Sequence, residues 1–116
     1  MKSTKDVLDH HTTALREADL DAVLADYASD AVFFTRDGAF KGLDAIRRVF
    51  AAIISEFRKL GTKINRIQQL IDGDYAYILW TAETAESVYE MATDTFVVRN
   101  GKIVAQSFTA KVTPKS

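Results

Sequence analysis

The first part of the chain places apolar residues at the spacing of α-helices. Ser3 can cap a first helix, because Asp6 puts an acid in its first turn. The inward stripe of that helix comprises Val7, His11, Leu15 and Ala18. Asp19 can cap a short second helix, whose apolar positions are Leu20, Val23, Leu24 and Tyr27. The pattern therefore predicts two successive helices, the second ending at Tyr27.

A short strand and a long helix follow. Residues 32–34 are apolar and lead into an Asp37-Gly38 turn, which predicts a short strand. After Gly42 the helical period returns, and Gly61 is suited to end this third helix. The apolar stripe of the third helix consists of Leu43, Ile46, Phe50, Ile53, Ile54 and Phe57.

Beyond Gly61 the pattern is that of strands, at about residues 62–71, 75–86, 89–99 and 102–112. Asp72-Gly73-Asp74 and Asn100-Gly101 separate pairs of these strands, and the second is typical of a type I′ hairpin turn. Helices first and antiparallel strands afterwards predict a single α+β domain over residues 1–116. We expect the three N-terminal helices to cover one face of a curved, mostly antiparallel sheet.

The strand at 75–86 is apolar on both faces. Tyr75, Tyr77 and Leu79 lie on one face, while Ala76, Ile78 and Trp80 lie on the other. The alternation alone leaves open which set points inward. Because the helices can cover only one face, we expect the other to be covered by a second copy, in a homodimer through the outer sheet face.

The composition is that of an ordinary globular domain, with 116 residues, 47% hydrophobic and 27% charged. A net charge of −1 without long like-charge runs argues against nucleic acid or an anionic membrane as partner. The absence of cysteine excludes disulfides and thiol chemistry. No signal peptide or apolar membrane span is evident, which favours a cytoplasmic protein.

The order of elements and three stretches resemble the nuclear-transport-factor-2-like superfamily, which includes ketosteroid isomerase, SnoaL-type polyketide cyclases and scytalone dehydratase. The stretches are ADLDAVLADYASDAVFFT (18–35), FKGLDAIRRVF (40–50) and DTFVVRNGKIV (94–104). The resemblance implies a cone whose mouth opens between the helices and the concave sheet. It implies no single function, because the fold hosts enzymes, binding modules and adaptors.

Ketosteroid isomerase uses a carboxylate base and an oxyanion hole made of a tyrosine and a protonated aspartic acid. The resemblance puts the position of the base at Thr35, that of the tyrosine at or near His11 and that of the protonated acid at Asp94. Threonine cannot shuttle a proton as a carboxylate does. The resemblance therefore argues against steroid isomerisation by that mechanism.

Two residues are candidates for catalysis. Asp94 would enter the apolar cavity and gain a raised pKa, or it is a structural residue bonded to neighbouring threonines or backbone. His11 faces inward and could relay a proton, or it is a half-buried histidine bonded to a carbonyl or to Tyr27. His10 is rotated away and expected in solvent. The candidates for ligand binding are Tyr27, Trp80, Phe50, Phe96, Gln106 and Phe108.

Two functions from different classes remain open. The first is a pocket for a small apolar molecule bearing a carbonyl or hydroxyl, with isomerase, cyclase or dehydratase chemistry that needs neither cofactor nor metal. The second is a non-catalytic dimeric module whose cavity is filled by its own side chains. The seven phenylalanines of the chain favour the second function, because they could crowd a small cavity.

Overall fold

The structure, a computed structural model, describes residues 2–115. The described residues form three helices and six strands in the following order. They are α1 (Thr4–Arg16), α2 (Leu20–Leu24), β1 (Tyr27–Thr35), β2 (Gly38–Lys41), α3 (Leu43–Phe57), β3 (Lys63–Asp72), β4 (Tyr75–Glu83), β5 (Ser87–Arg99) and β6 (Lys102–Pro114).

The caps predicted for the first two helices are present. The Ser3 hydroxyl accepts from the Asp6 amide, while the Asp6 carboxylate accepts from the Ser3 amide, which completes a capping box. The Asp19 carboxylate accepts from the Ala22 amide at the start of α2. These caps fix where the chain turns from one helix to the next.

Two predicted boundaries are wrong, and one strand was not predicted. Tyr27 does not end α2, which stops at Leu24, but is the first residue of β1 and pairs with Ile103 of β6. α3 ends at Phe57, and Gly61 instead supplies a positive φ of 87° in the turn before β3. The segment after the Asp37-Gly38 turn forms the additional strand β2, which pairs with β1.

The sheet has the strand order β2-β1-β6-β5-β4-β3. All neighbouring strands are antiparallel except β1 and β6, which run parallel. Asn100 and Gly101 both have positive φ, as a type I′ hairpin turn requires. The domain is therefore α+β with a mixed, open sheet, as expected except for the additional strand.

The helices pack on one face of this sheet and thereby decide which side of β4 points inward. Ala76 is buried, and Ile78 and Trp80 face the helices. Tyr75, Tyr77 and Leu79 lie on the opposite, outer face, where Tyr75 is 55% exposed. The principal core lies between α1, α2, α3 and the strands and includes Val7, Val23, Phe33, Ile46, Phe50 and Ile103.

Candidate functional site

A cavity of about 1110 Å³ opens between α1, α3 and the concave face of the sheet. Its inner wall is apolar and includes Phe33, Phe50, Ile54, Ile78, Phe96 and Phe108. Phe33 and Phe50 stack on each other with ring centroids 5.4 Å apart, in the wall rather than across the space. The phenylalanines therefore surround the cavity without filling it.

Among the described side chains that line this cavity, Asp94 is the single acidic one. It lies in the middle of β5, opposite Ile78 of β4 and Phe108 of β6. The Trp80 indole N–H donates to its Oδ2 at 2.8 Å, and the Gln106 amide donates to its Oδ1 at 2.9 Å. Donors from the two neighbouring strands thus hold both carboxylate oxygens and fix the orientation of the Asp94 side chain.

The surroundings of Asp94 act on its pKa in opposite directions. Burial raises the pKa, because the charged form loses its hydration. The hydrogen bonds from Trp80 and Gln106 and the charge of His11 lower it, because they stabilise the carboxylate. Burial dominates, so the pKa of Asp94 lies above its usual value. A carboxyl with a raised pKa is better matched to proton transfer near neutral pH.

Tyr27 is linked to Asp94 through the side chain of Gln106. Its hydroxyl donates to the Gln106 Oε1, and the amide of Gln106 donates in turn to Asp94. Burial raises the pKa of Tyr27, and the nearby charges of Asp94 and Asp26 raise it further, so the phenol keeps its proton. Tyr27 is buried rather than exposed to the cavity, so its place differs from that of the other predicted ligand-binding residues.

Trp80 belongs to an aromatic cluster at one side of the cavity. Its ring stacks on Phe108 at 6.0 Å and on Tyr89 at 5.7 Å, while Phe57 meets it edge-on. The Tyr89 hydroxyl donates to Glu56 at 2.9 Å, which anchors the cluster to α3. These contacts hold the indole N–H toward Asp94.

His11 lies deep in α1 and lines the same cavity. Only 3% of its surface is exposed, and three rings surround it edge-on: Tyr27, Phe50 and Phe96. Within residues 2–115 its Nδ1 neither donates to a backbone carbonyl nor bonds to Tyr27, and it instead faces the Asp26 Oδ2 at 3.6 Å. That separation exceeds a hydrogen bond, and both atoms are buried without another partner in the described chain.

Sequence reasoning missed Asp26. This carboxylate is 2% exposed and lies between two adjacent histidines of α1, with His10 Nδ1 at 2.7 Å from its Oδ1. Because an ionised carboxylate only accepts hydrogen bonds, His10 carries a proton on Nδ1. The side chain of His10 is exposed, as expected, and it is in addition bonded to Asp26. The sequence signal for Asp26 is its position directly before the inward-facing Tyr27. Its contact with His10 and His11 arises only when α1 packs against it.

The cavity thus brings together seven of the eight predicted site residues, and the eighth, Tyr27, lies directly behind them. Thr35 lies outside this cavity, beside a smaller one, and its hydroxyl accepts from the Asp37 amide. Among residues 2–115, no cluster of three or more His, Asp or Glu side chains could hold a metal ion. No helix in the same range is long and apolar enough to cross a membrane.

The model of the SnoaL-like domain matches residues 8–106, which is most of the chain. The chain belongs to the SnoaL-like family. Its fold is accordingly that of the nuclear-transport-factor-2-like superfamily. A search of the curated proteins found no match to this SnoaL-like domain.

Several solved structures share the fold at low sequence identity. A nuclear-transport-factor-2-like protein of unknown function from Cytophaga hutchinsonii matches with a TM-score of 0.75 and 13% identity, covering 96% of this chain and 92% of its own. A proposed polyketide cyclase from Sinorhizobium meliloti matches with a TM-score of 0.72 and 21% identity, covering 89% and 93%. SalBIII, an epoxide hydrolase/cyclase-like enzyme of pyran ring formation in salinomycin, matches with a TM-score of 0.78 and 18% identity, covering 93% and 90%.

Proposed function

We propose that this SnoaL-like domain binds a small, mostly apolar molecule bearing a carbonyl or hydroxyl and transfers a proton to or from it without a cofactor. The observation that carries the proposal is a single carboxylate, Asp94, fixed in the wall of an apolar cavity with a raised pKa. Isomerisation, cyclisation and dehydration can each use such a group as acid or base. The cyclase-like neighbours fit these reaction classes.

Asp94 is the proton-transfer residue in this proposal. Each of its oxygens already accepts one hydrogen bond, but a carboxylate oxygen has a second lone pair that can meet the ligand. Ionised Asp94 takes a proton from a C–H or O–H of the ligand, and protonated Asp94 returns it to a carbon or oxygen of the product. Trp80 and Gln106 stay in place through both steps, since neither changes its charge.

His11 is the second polar group that meets the ligand. Asp26 faces its Nδ1, and the carboxylate there favours the tautomer with the proton on Nδ1. The other ring nitrogen, Nε2, is then an acceptor for a ligand hydroxyl or a base for its proton. Asp26 positions His11 and does not touch the ligand itself.

The experiment is an NMR titration of the Asp94 carboxyl, with and without the ketone tetralone and related ring ketones. We expect a pKa above the ordinary value of about 3.9 and a further change when a ketone binds. The Asp94→Asn variant should bind the same ketone while losing exchange of the protons next to its carbonyl in heavy water. A pKa at or below the ordinary value, unmoved by every ketone, would contradict the proposal.

A non-catalytic binding module is the second candidate. The observation that favours it is Thr35, since the position of the isomerase base holds no carboxylate and lies outside the cavity. Such a module would bind tetralone equally well, and neither wild type nor Asp94→Asn would exchange its protons. The heavy-water measurement therefore separates the two functions.

The homodimer remains part of the proposal. The outer sheet face carries Tyr75 and Leu70, which are 55% and 54% exposed, next to Tyr77 and Leu79. A second copy would cover this apolar face. Sedimentation of the wild type beside Leu70→Lys should show a dimer that the lysine weakens, whereas monomers at every concentration would contradict it.

A further inference from the structure

The charges around the cavity are distributed unevenly. Besides Asp94, the charged residues that line it are all cationic: Arg16, Arg58, Lys59 and Arg66. They come from three elements, namely the end of α1, the turn after α3 and the strand β3. All four residues are exposed, and we call the rim that they form the mouth of the cavity. Because the chain as a whole has a net charge of −1, this concentration of positive charge is local to the mouth.

Three of these cations have no acidic partner within residues 2–115. Arg16, Arg58 and Arg66 form no ion pair there, whereas Lys59 pairs with Glu86. Elsewhere on the surface Arg47 pairs with Asp21 at 2.9 Å and Lys115 with Glu83 at 2.6 Å. The mouth is thus a place where positive charge is left uncompensated by the described residues.

Arg66 is held in place by neutral oxygens. Its guanidinium donates to the Gln69 Oε1 at 2.8 Å and to the Thr12 hydroxyl at 3.3 Å, so it reaches from β3 to α1. A guanidinium has five N–H donors, and the remaining ones are free to bind an oxyanion. A planar, fixed guanidinium suits carboxylate and phosphate groups.

Helix ends explain part of this pattern but not all of it. Arg16 lies in the last turn of α1 and Arg58 is the C-cap residue of α3, where a cation complements the helix dipole. Arg66 lies in a strand, at the irregularity where β3 faces Trp80. Its place at the mouth therefore needs another reason.

We infer that the molecule bound in the cavity is an amphipathic anion. Its apolar body lies against Phe50, Phe96 and Phe108, and its carboxylate, phosphate or similar group meets Arg66, Arg58 and Arg16 at the mouth. The inference rests on the proposed function, because it takes the cavity as the binding site. It adds the class of ligand and the residues that select it.

Two fluorescent dyes test the inference directly. Anilinonaphthalene sulfonate is an apolar anion, and phenylnaphthylamine is the same molecule without the sulfonate. We expect the Arg58→Gln/Arg66→Gln variant to bind the sulfonate about fivefold more weakly at low salt, because it loses two exposed ion pairs with the sulfonate. Its affinity for phenylnaphthylamine should stay within about twofold, and added salt should weaken only the sulfonate.

Arg48→Gln is the matched control, because Arg48 is exposed on α3 but does not line the cavity. It should alter neither affinity. Circular dichroism of each variant verifies that the fold is retained. Arg66→Lys keeps the charge but loses the planar fork, so we expect it to recover part of the affinity for the sulfonate.

Displacement of the bound sulfonate then distinguishes the anionic group. Naphthoate and naphthyl phosphate should displace it better than naphthol, and the better of the two acids identifies carboxylate or phosphate. Equal displacement by naphthol would overturn the inference, as would an unchanged sulfonate affinity in the double variant while phenylnaphthylamine still binds. If neither dye binds the wild type, the proposed pocket itself fails, and the inference with it.

Discussion

Asp26 and Asp94 are both enclosed carboxylates, and their partners differ in kind. Asp94 accepts from the Trp80 indole and the Gln106 amide, two donors that do not titrate. Asp26 instead faces the imidazole rings of His10 and His11 on α1. Asp94 is held by an indole and an amide and lines the cavity, whereas Asp26 lies against two histidines and does not line it.

This difference indicates a division of roles. Fixed donors keep the direction and the environment of Asp94 constant, which suits a group that must exchange protons with a ligand. Asp26 connects a histidine in the cavity, His11, with a histidine whose side chain is 44% exposed, His10. In the proposed function, Asp26 therefore serves stability and the orientation of His11, and Asp94 meets the ligand.

The largest expected effect comes from Asp26→Ala. The substitution removes the hydrogen bond of His10 and leaves buried His11 Nδ1 without its carboxylate. We expect the free energy of unfolding, measured by urea denaturation, to fall by about 2–4 kcal/mol. Asp30→Ala, at an exposed acid of the strand β1 that follows Asp26, should change it by less than about 0.5 kcal/mol. Equal losses in the two variants would remove the structural role assigned to Asp26.

A smaller effect is expected from Trp80→Phe. The ring keeps much of its stacking on Phe108 and Tyr89, but the donor to Asp94 is lost, at a cost of about 1 kcal/mol. Because that donor lowers the pKa of Asp94, its removal should raise the pKa further, as NMR titration would show. Tyr89→Phe loses the bond to Glu56 and should leave the pKa of Asp94 unchanged. A fall of the pKa in Trp80→Phe would contradict the account.

The smallest effect on stability at neutral pH is expected from Asp94→Asn. Burial raises the pKa of Asp94 in the native state above its unfolded value, so the native state binds the proton more tightly. The stabilisation is fully present below the unfolded pKa of about 3.9 and is lost as pH rises through the native pKa. The advantage of wild type over the variant should therefore shrink from acid to neutral pH.

Urea denaturation at several pH values measures this change. Asp72→Asn, at the exposed end of β3, provides the control and should show no such trend. A wild-type advantage that grows with pH would mean that the donors outweigh burial.

The parts of the fold that the sequence predicts well are those written in local patterns. The caps at Ser3 and Asp19 and the Asn100-Gly101 turn depend on a few neighbouring residues, and all three are found as expected. Tyr27 shows the limit. It continues the helical spacing of α2, but its parallel pairing with Ile103 draws it into a strand, and no local pattern reports a partner that distant.

The candidate site follows the same rule. The place of Asp94 in the cavity was predicted from the resemblance, whereas the register of β5 and β6, which shifts between Val97 and Val98, could not be taken from the Asn100-Gly101 turn alone. Its donors Trp80 and Gln106 could be proposed as neighbours but not as hydrogen-bond partners. Asp26 lies in a short polar connection, and only the packing of α1 against it turns that position into a buried one.

The position of β6 in the sheet has a consequence for how the protein folds during its synthesis. This strand lies between β1 and β5, so the sheet has no continuous centre until residues 102–114 are in place. Until β6 has been synthesised, β1 and β5 each have an unpaired edge, and such edges are prone to associate with other chains. Pairings this distant in sequence also slow folding. The Asp94 site, which needs Gln106 from β6, is assembled only at the end of that process.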